Sequence, residues 1–121
     1  MIVGVGLDLV SVERARAMLA RHGQRLLTRC FAPDEVLRTG DAEHVAGLLA
    51  AKEAAFKALG TGWDMGVGWR DAVVSRAASG APRLALTGGA AARAAELGVR
   101  TTHLSITHSA GTAVAVVILE S

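Results

Sequence analysis

The sequence has little of several residue types, and each shortage narrows what the protein can be. Among 121 residues there is one cysteine and no tyrosine, and aromatic residues make up 3%. A single cysteine excludes a disulfide framework and a cysteine-based metal site, and the few aromatics argue against nucleic-acid binding by base stacking. The apolar runs are too short to cross a membrane, and the first residues lack the features of a signal peptide. We therefore expect a cytoplasmic protein that binds neither nucleic acid nor membrane.

The chain does have enough apolar sequence to build a core. Apolar residues make up 51% and charged residues 20% of the sequence, which is typical of a folded domain. The length fits one domain that spans residues 1–121. Strand and helix patterns follow one another without regular βαβ alternation, so we predict an α+β fold in which a small antiparallel sheet packs with helices.

Capping residues and hydrophobic periodicity divide the chain into predicted elements. The strands are predicted at residues 2–10, 71–77 and 83–87, followed by a closing hairpin of residues 103–108 and 112–119. The helices are predicted from Ser11 to about residue 22, briefly after Pro33, from Asp41 to about residue 59, and over residues 89–97. The apolar first strand is expected to be buried.

Asp8 stands in the middle of this apolar first strand, on the face that Gly4 and Gly6 share. These glycines should leave space beside the carboxylate. A buried carboxylate without a partner is costly, so Asp8 needs a cation or hydrogen-bond donors. Two interpretations stay open: Asp8 caps the following helix, or it binds a metal or takes part in catalysis.

The longest predicted helix carries charged residues whose roles the pattern leaves open. Glu53 and Lys57 lie four residues apart and project together, either as an ordinary exposed pair or as a site against which another segment packs. Lys52 falls in the bulky apolar stripe, so it either snorkels or has a partner. Gly60-Thr61-Gly62 after the helix is either a glycine cap or a turn that binds a phosphate, in which case basic side chains must offset the helix dipole.

Two further features have both a structural and a functional interpretation. His108 shares a strand face with Leu104 and Ile106, so it is either a satisfied core residue or a general base beside a cleft. Between Glu13 and Arg29, five arginines oppose one acid, a local net charge of +4. This basic segment is either a solvated helix face or a surface for an acidic partner or a phosphate.

Two carboxylates, a lysine, a histidine and a glycine turn together favour metal-assisted chemistry at a phosphate. Mg²⁺ typically binds one or two carboxylates together with substrate phosphates, and a lysine can stabilise the charge of a leaving phosphate. The sequence contains neither a Gly-Lys-Ser/Thr loop nor a dinucleotide-binding glycine fingerprint. Ordinary nucleoside-triphosphate and dinucleotide folds are therefore disfavoured.

The order of these motifs resembles that of holo-acyl-carrier-protein synthase, the small bacterial type of 4′-phosphopantetheinyl transferase. The resemblance covers essentially the whole chain, and it rests on Gly4 to Val10 with Arg14, Phe31 with Glu35, Ala51 to Gly62, Trp69 with Asp71, Gly80 to Pro82, His103 to Ser109 and the closing apolar run. The sequence departs from the family at two positions. Leu48 replaces an arginine of the coenzyme A phosphate set, for which Arg83 could substitute, and Ala72 stands where the family prefers an acid.

The resemblance implies a reaction: transfer of the 4′-phosphopantetheine arm of coenzyme A to a serine of apo acyl carrier protein, with release of 3′,5′-ADP. It implies a homotrimer with sites between subunits. Asp8 and Glu53 would hold Mg²⁺ and, with Lys57 and His108, would form the catalytic set. The general base is left open between a metal-polarised water and a side chain.

The resemblance also implies binding residues. The coenzyme would be bound by Lys57, Gly60, Thr61, Gly62, Pro82, Arg83 and His108. The carrier protein would dock on Arg14, Arg21 and Arg25, which belong to the basic segment.

Two other functions stay open. One is a non-catalytic module that binds coenzyme A or a carrier protein, which Leu48 favours. The other is a Mg²⁺-dependent phosphohydrolase, which predicts water as the acceptor and needs no basic docking helix.

Overall fold

The structure, a computed structural model, describes residues 1–33, 35, 41–61 and 66–121. It confirms the α+β class. In chain order the elements are β1 (Ile2–Ser11), α1 (Val12–His22), α2 (Gln24–Cys30), α3 (Ala42–Leu59), β2 (Ala72–Arg76), β3 (Pro82–Leu86), α4 (Gly88–Leu97), β4 (Thr101–Ser109) and β5 (Thr112–Glu120). A 3₁₀ turn, Trp69–Asp71, precedes β2.

The strands form two antiparallel sheets. One sheet has the order β1-β5-β4, so that Leu7 and Ser105 both pair with Val116 of the central strand, while β2 and β3 form the other sheet. The second sheet lies beside β4, where the Thr102 hydroxyl donates to the Leu84 carbonyl at 2.7 Å. β5 and β4 therefore separate β1 from β3.

α3 packs across one face of the three-stranded sheet, and its own sequence sets its ends. Asp41 caps the first turn, and Gly60 adopts a left-handed conformation (φ 66°) after the last turn. The amides of Gly60 and Thr61 donate to the carbonyls of Lys57 and Phe56, which is the Schellman pattern. The bounds predicted for this helix are confirmed.

The contact between β1 and α3 explains the two glycines of the first strand. A Cβ on Gly4 would overlap the carbonyl oxygen of Ala58, and a Cβ on Gly6 would overlap that of Ala54. The expectation that these glycines leave space beside Asp8 is wrong, because the helix backbone fills that space. The close approach brings Asp8 within reach of side chains on α3.

The opposite face of this sheet is open in the single chain. Val5, Leu7 and Leu9 are 58%, 60% and 62% exposed. The expectation that the whole first strand is buried is therefore wrong, because α3 covers only one face. Along β5 the residues alternate between buried and half-buried, and Val116 lies half-buried on the open face between Leu7 and Ser105.

Two segments between α1 and α3 differ from the predicted elements. Helix α2 was not predicted, and its first turn has no side-chain cap, because Gly23 precedes it. The short helix predicted after Pro33 falls mostly on positions outside the described residues. Among the residues that are described, no helix is both long and apolar enough to cross a membrane.

Candidate active site

Asp8 of β1 and Lys57 of α3 form an ion pair at the edge of the sheet. Lys57 Nζ donates to Asp8 Oδ1 at 2.9 Å and to the Leu7 carbonyl at 3.1 Å. The Asp8 side chain is 11% exposed, whereas that of Lys57 is 58% exposed. The interpretation of Asp8 as a helix cap is wrong, because Ser11 caps α1 by accepting from the Arg14 amide at 2.9 Å.

Glu53 lies one helical turn before Lys57 and interacts with Asp8. Burial, and then the hydrogen bond to Asp8 and its charge, raise the pKa of Glu53 to about 7, while Arg14 and Lys57 act in the opposite direction. The hydrogen bond from Lys57 to Asp8 raises the pKa of the Lys57 amine. Asp8 Oδ2 is buried and has no hydrogen-bond partner within the described ranges.

This carboxylate pair has the properties of a divalent-cation site. Two carboxylates that repel each other, one with an unpartnered buried oxygen, offer hard oxygen ligands to a cation. Among the described residues, no group of three or more His, Cys, Asp or Glu side chains could hold a metal ion. The chain would thus supply two ligands and the substrate and water the others, as is typical of Mg²⁺.

The stability of the metal-free protein should fall as the pH rises. The pKa of Glu53 is raised in the folded chain from its ordinary value of 4.5 to about 7, so its contribution to stability is complete below the lower value and is lost as pH rises through the higher one. We expect urea unfolding in EDTA to show stability that falls between about pH 4.5 and about pH 7 and then levels off. Added Mg²⁺ should restore the stability that is lost at higher pH. In Glu53→Gln the unfolding free energy should depend less on pH. If Glu53→Gln lost as much stability as the unchanged protein, a group other than Glu53 would cause the pH dependence.

Gly60 and Thr61 follow directly after the helix that carries Glu53 and Lys57. The Thr61 hydroxyl oxygen is buried and has no hydrogen-bond partner in the part of the chain that the structure describes. Gly62, the third residue of the predicted turn, lies outside the described residues.

Leu48, which stands where the resemblance expects an arginine, is 3% exposed and belongs to the core.

Lys52 has a partner, which settles one question that the sequence left open. Its Nζ donates to Glu35 Oε1 at 2.8 Å and to the carbonyls of Ala72 and Trp69 at 2.6 and 3.2 Å. Glu35 also accepts from two backbone amides, so both carboxylate oxygens are used. Burial lowers the pKa of Lys52, whereas Glu35 raises it. The pair joins α3 to the segment of Glu35 and to the start of β2.

His108 lies on the α3 side of the sheet, as its alternation predicts, but near the start of that helix. Its Nδ1 is 4.0 Å from Glu43 Oε1, and a Cβ on Gly47 would lie 2.8 Å from its Nε2. Asp8 is separated from β4 by the intervening strand β5. A single chain therefore does not bring His108 to the carboxylate pair, and its role stays a prediction.

The other residues expected to bind the coenzyme, Pro82 and Arg83, begin β3. They line a groove of about 330 Å³ together with Thr102 and His103 of β4. This groove lies on the far side of β4 and β5 from Asp8. In one chain, the predicted coenzyme residues thus fall into two groups.

The three arginines predicted to dock a carrier protein lie on α1 and α2. Arg14, in the first turn of α1, lowers the pKa of Glu53 by its charge, so it borders the carboxylate pair. Arg21 is exposed near the end of α1. Arg25 lines a groove of about 420 Å³, together with the apolar side chains of Met18, Leu26 and Trp69 and the basic side chains of His22 and Arg29.

Comparison with known proteins decides the family. A family model for the 4′-phosphopantetheinyl transferase superfamily matches residues 4–117. The chain belongs to this superfamily. A curated relative from Nitratidesulfovibrio vulgaris (strain DP4), named holo-(acyl-carrier-protein) synthase, is 50% identical over the full length of both chains. A relative of the same name from Anaeromyxobacter sp. (strain K) is 52% identical over 99% of this chain and 97% of its own.

Solved structures from the same family have the same fold. The holo-(acyl-carrier-protein) synthase from Neisseria meningitidis has a TM-score of 0.89 at 30% identity and covers both chains completely. The enzyme of that name from Helicobacter pylori, solved in complex with coenzyme A, has a TM-score of 0.84 at 30% identity over 96% of this chain and 99% of that chain. These matches confirm the family to which the sequence motifs pointed.

Proposed function

We propose that the protein transfers the 4′-phosphopantetheine arm of coenzyme A to a serine of apo acyl carrier protein. The reaction is Mg²⁺-dependent, releases 3′,5′-ADP and serves fatty acid or polyketide biosynthesis. The observation that carries the proposal is the cluster of Asp8, Glu53 and Lys57 in a chain of this superfamily. The names of the full-length relatives and the coenzyme A complex of one homologue support it.

In this reaction the serine oxygen bonds to the phosphorus that carries pantetheine, and the bond from that phosphorus to the bridging oxygen of 3′,5′-ADP breaks. The serine hydroxyl gives its proton to the general base, for which a metal-polarised water and a side chain are the two candidates. Asp8 and Glu53 would hold Mg²⁺, which would supply positive charge to the diphosphate. Lys57 is 58% exposed, so its Nζ can turn from Asp8 to the leaving phosphate and stabilise its charge or give it a proton. The tight packing of β1 on α3 holds the two carboxylates together.

The decisive test is intact-protein mass spectrometry of an apo acyl carrier protein incubated with this protein, coenzyme A and Mg²⁺. We expect the carrier to gain the mass of one phosphopantetheine arm, and EDTA to prevent the gain. Coenzyme A binding without transfer would favour the non-catalytic module. Release of 3′,5′-ADP without any gain in carrier mass would favour the hydrolase.

The carrier protein is proposed to dock on α1 and α2 through Arg14, Arg21 and Arg25. Apolar and basic side chains together line the groove at Arg25, which suits an acidic amphipathic helix. Because Arg14 also acts on Glu53, its substitution would perturb the carboxylate pair as well as docking. Arg21 is the cleaner position for a test.

Arg21→Glu should raise KM for the carrier protein and leave KM for coenzyme A unchanged. Reversing a charge at the rim of an interface mainly slows association, so we expect KM for the carrier to rise by about tenfold at low salt. Steady-state kinetics at two salt concentrations measures this, and Arg100→Glu, at an exposed arginine outside α1 and α2, serves as the matched control. Equal KM values for the carrier in Arg21→Glu and Arg100→Glu would contradict docking on α1.

The active protein is proposed to be a homotrimer in which neighbouring copies complete each site. Two observations support this: the open sheet face exposes Val5, Leu7 and Leu9, and the coenzyme residues of β3 and β4 lie across the sheet from Asp8. A contiguous apolar patch of this kind is typical of an interface. The Asp8 pair of one copy would then face His108, Pro82 and Arg83 of the next.

Leu7→Glu should disrupt this assembly. A charge at the centre of a buried apolar interface is costly, so we expect the variant to lose transfer activity. Light scattering should give three times the chain mass of 12.4 kDa for the unchanged protein and a smaller mass for the variant. Ser105→Glu, on the open face of the opposite edge strand, tests whether the interface extends there. If Leu7→Glu retained the assembled mass, this face would not be the interface.

A further inference from the structure

Lys57 occupies one side of the Asp8 carboxylate, which is proposed to bind Mg²⁺. Its Nζ lies 2.9 Å from Asp8 Oδ1 and 3.1 Å from the carbonyl oxygen of Leu7, and it donates to both. The other carboxylate oxygen, Asp8 Oδ2, is buried and has no hydrogen-bond partner among the described residues. One oxygen of Asp8 is therefore bound to an ammonium group, while the other has no ligand. A metal ion on Asp8 would have to share the carboxylate with a positive charge.

The charges around this carboxylate pair nearly balance in the free protein. Asp8 and Glu53 together contribute at most two negative charges. Lys57 contributes one positive charge by direct contact with Asp8, and Arg14 contributes a second one, which acts on Glu53. Positive charges a few ångströms apart repel each other strongly where water is partly excluded. The free protein should therefore attract a divalent cation only weakly.

The Lys57 side chain can move away from this site, whereas the carboxylate cannot. Lys57 is 58% exposed and Asp8 only 11%. The strand that carries Asp8 is packed tightly on α3, since a Cβ on Gly6 would overlap the carbonyl oxygen of Ala54. Because the lysine end of the ion pair is exposed, moving it costs less than breaking a buried pair. A diphosphate can draw the lysine away, because its oxygens accept hydrogen bonds and carry negative charge.

We propose that Lys57 makes metal binding depend on the diphosphate of coenzyme A. The inference rests on the proposed function, in which Asp8 and Glu53 would hold Mg²⁺. In the free protein Lys57 stays on Asp8 and keeps the affinity for the metal low. When the diphosphate is bound, Lys57 donates to its oxygens instead and leaves Asp8 to the metal. Metal and coenzyme A then strengthen each other's binding by the same factor, as thermodynamic linkage requires.

The test measures metal affinity directly, without carrier protein and therefore without transfer. Electron paramagnetic resonance with Mn²⁺, which suits the same oxygen ligands as Mg²⁺, gives the Kd of the whole protein with and without coenzyme A, after correction for Mn²⁺ bound by coenzyme A alone. In the unchanged protein we expect coenzyme A to lower this Kd at least about tenfold. Lys57→Met should lower the Kd of the free protein by about tenfold, and coenzyme A should then lower it further by a smaller factor.

Arg16→Met is the matched control for Lys57→Met. Arg16 forms an ion pair with Glu13 and is 59% exposed, close to the value for Lys57. Its substitution removes a positive charge of similar exposure from a different ion pair and should leave the Kd for Mn²⁺ unchanged. Lys57→Arg keeps the charge and should keep metal binding to the free protein weak.

Two results would overturn the proposal. One is a Kd of the free protein for Mn²⁺ that does not fall in Lys57→Met. The other is an equal fall in Lys57→Met and Arg16→Met, because the effect would then come from net charge and not from the contact with Asp8. An unchanged protein that shows the expected Kd values but never modifies the carrier would instead overturn the proposed function.

Discussion

Asp8→Asn is expected to reduce kcat/KM for phosphopantetheine transfer by a factor on the order of 10²–10³. The substitution keeps the size of the side chain and one oxygen that can accept from Lys57, but it removes the charge of the buried Oδ2 atom, which has no partner among the described residues. We therefore expect weaker Mg²⁺ binding while the fold is retained. Kinetics over a range of Mg²⁺ concentrations, together with thermal melts with and without Mg²⁺, measures both effects.

The matched control for Asp8→Asn is Glu120→Gln. Glu120 forms an exposed pair with His103, so this change removes one carboxylate away from the proposed metal site. It should leave transfer and the stabilisation by Mg²⁺ intact. If Asp8→Asn also kept the full Mg²⁺-induced rise in melting temperature, Asp8 would not be a metal ligand and the proposed mechanism would fail.

Lys52→Met should destabilise the fold by about 3–5 kcal/mol, because removing one partner of a buried ion pair leaves the other charge uncompensated. Lys52 is fully buried, and it bonds to Glu35, Trp69 and Ala72. The Phe31 ring, 5.0 Å from the Lys52 Nζ, adds a cation–π contact. Urea unfolding followed by circular dichroism measures the loss.

The chain contains its own control for Lys52→Met, since its other lysine lies five residues later in the same helix. Lys57→Met removes an exposed lysine and should change stability little while abolishing most transfer. The double variant Lys52→Met with Glu35→Leu should recover part of the stability that Lys52→Met loses, because no buried charge remains. Equal stability of Lys52→Met and Lys57→Met would show that the buried pair contributes nothing to the fold.

Local sequence signals were enough to predict much of the fold. α3 was placed correctly because Asp41 and Gly60 mark its two ends, and α1 was placed because Ser11 and Gly23 do the same. α2 was missed because a seven-residue helix without a side-chain cap has no comparable local signal.

The site was harder to predict, since it depends on contacts between distant residues. The order of the motifs, through the family resemblance, predicted that Asp8, Glu53 and Lys57 share one site, and in the structure these three side chains do interact. The partner of Lys52 comes from a segment 17 residues away, and periodicity alone gives no information on such a pairing. For the same reason, the sequence alone did not show why Gly4 and Gly6 are needed. The structure shows that the backbone of α3 packs so closely on them that a Cβ would not fit.

The position of β5 has a consequence for how the protein matures. β5 comes after the other described helices and strands in chain order, yet it is the strand that pairs with both β1 and β4. During synthesis, the strand that carries Asp8 must therefore wait for Thr112–Glu120 before it gains its neighbour in the sheet. Such long-range pairing slows folding and leaves apolar edges exposed meanwhile. The nascent chain should thus remain open to chaperones and proteases until its last strand leaves the ribosome.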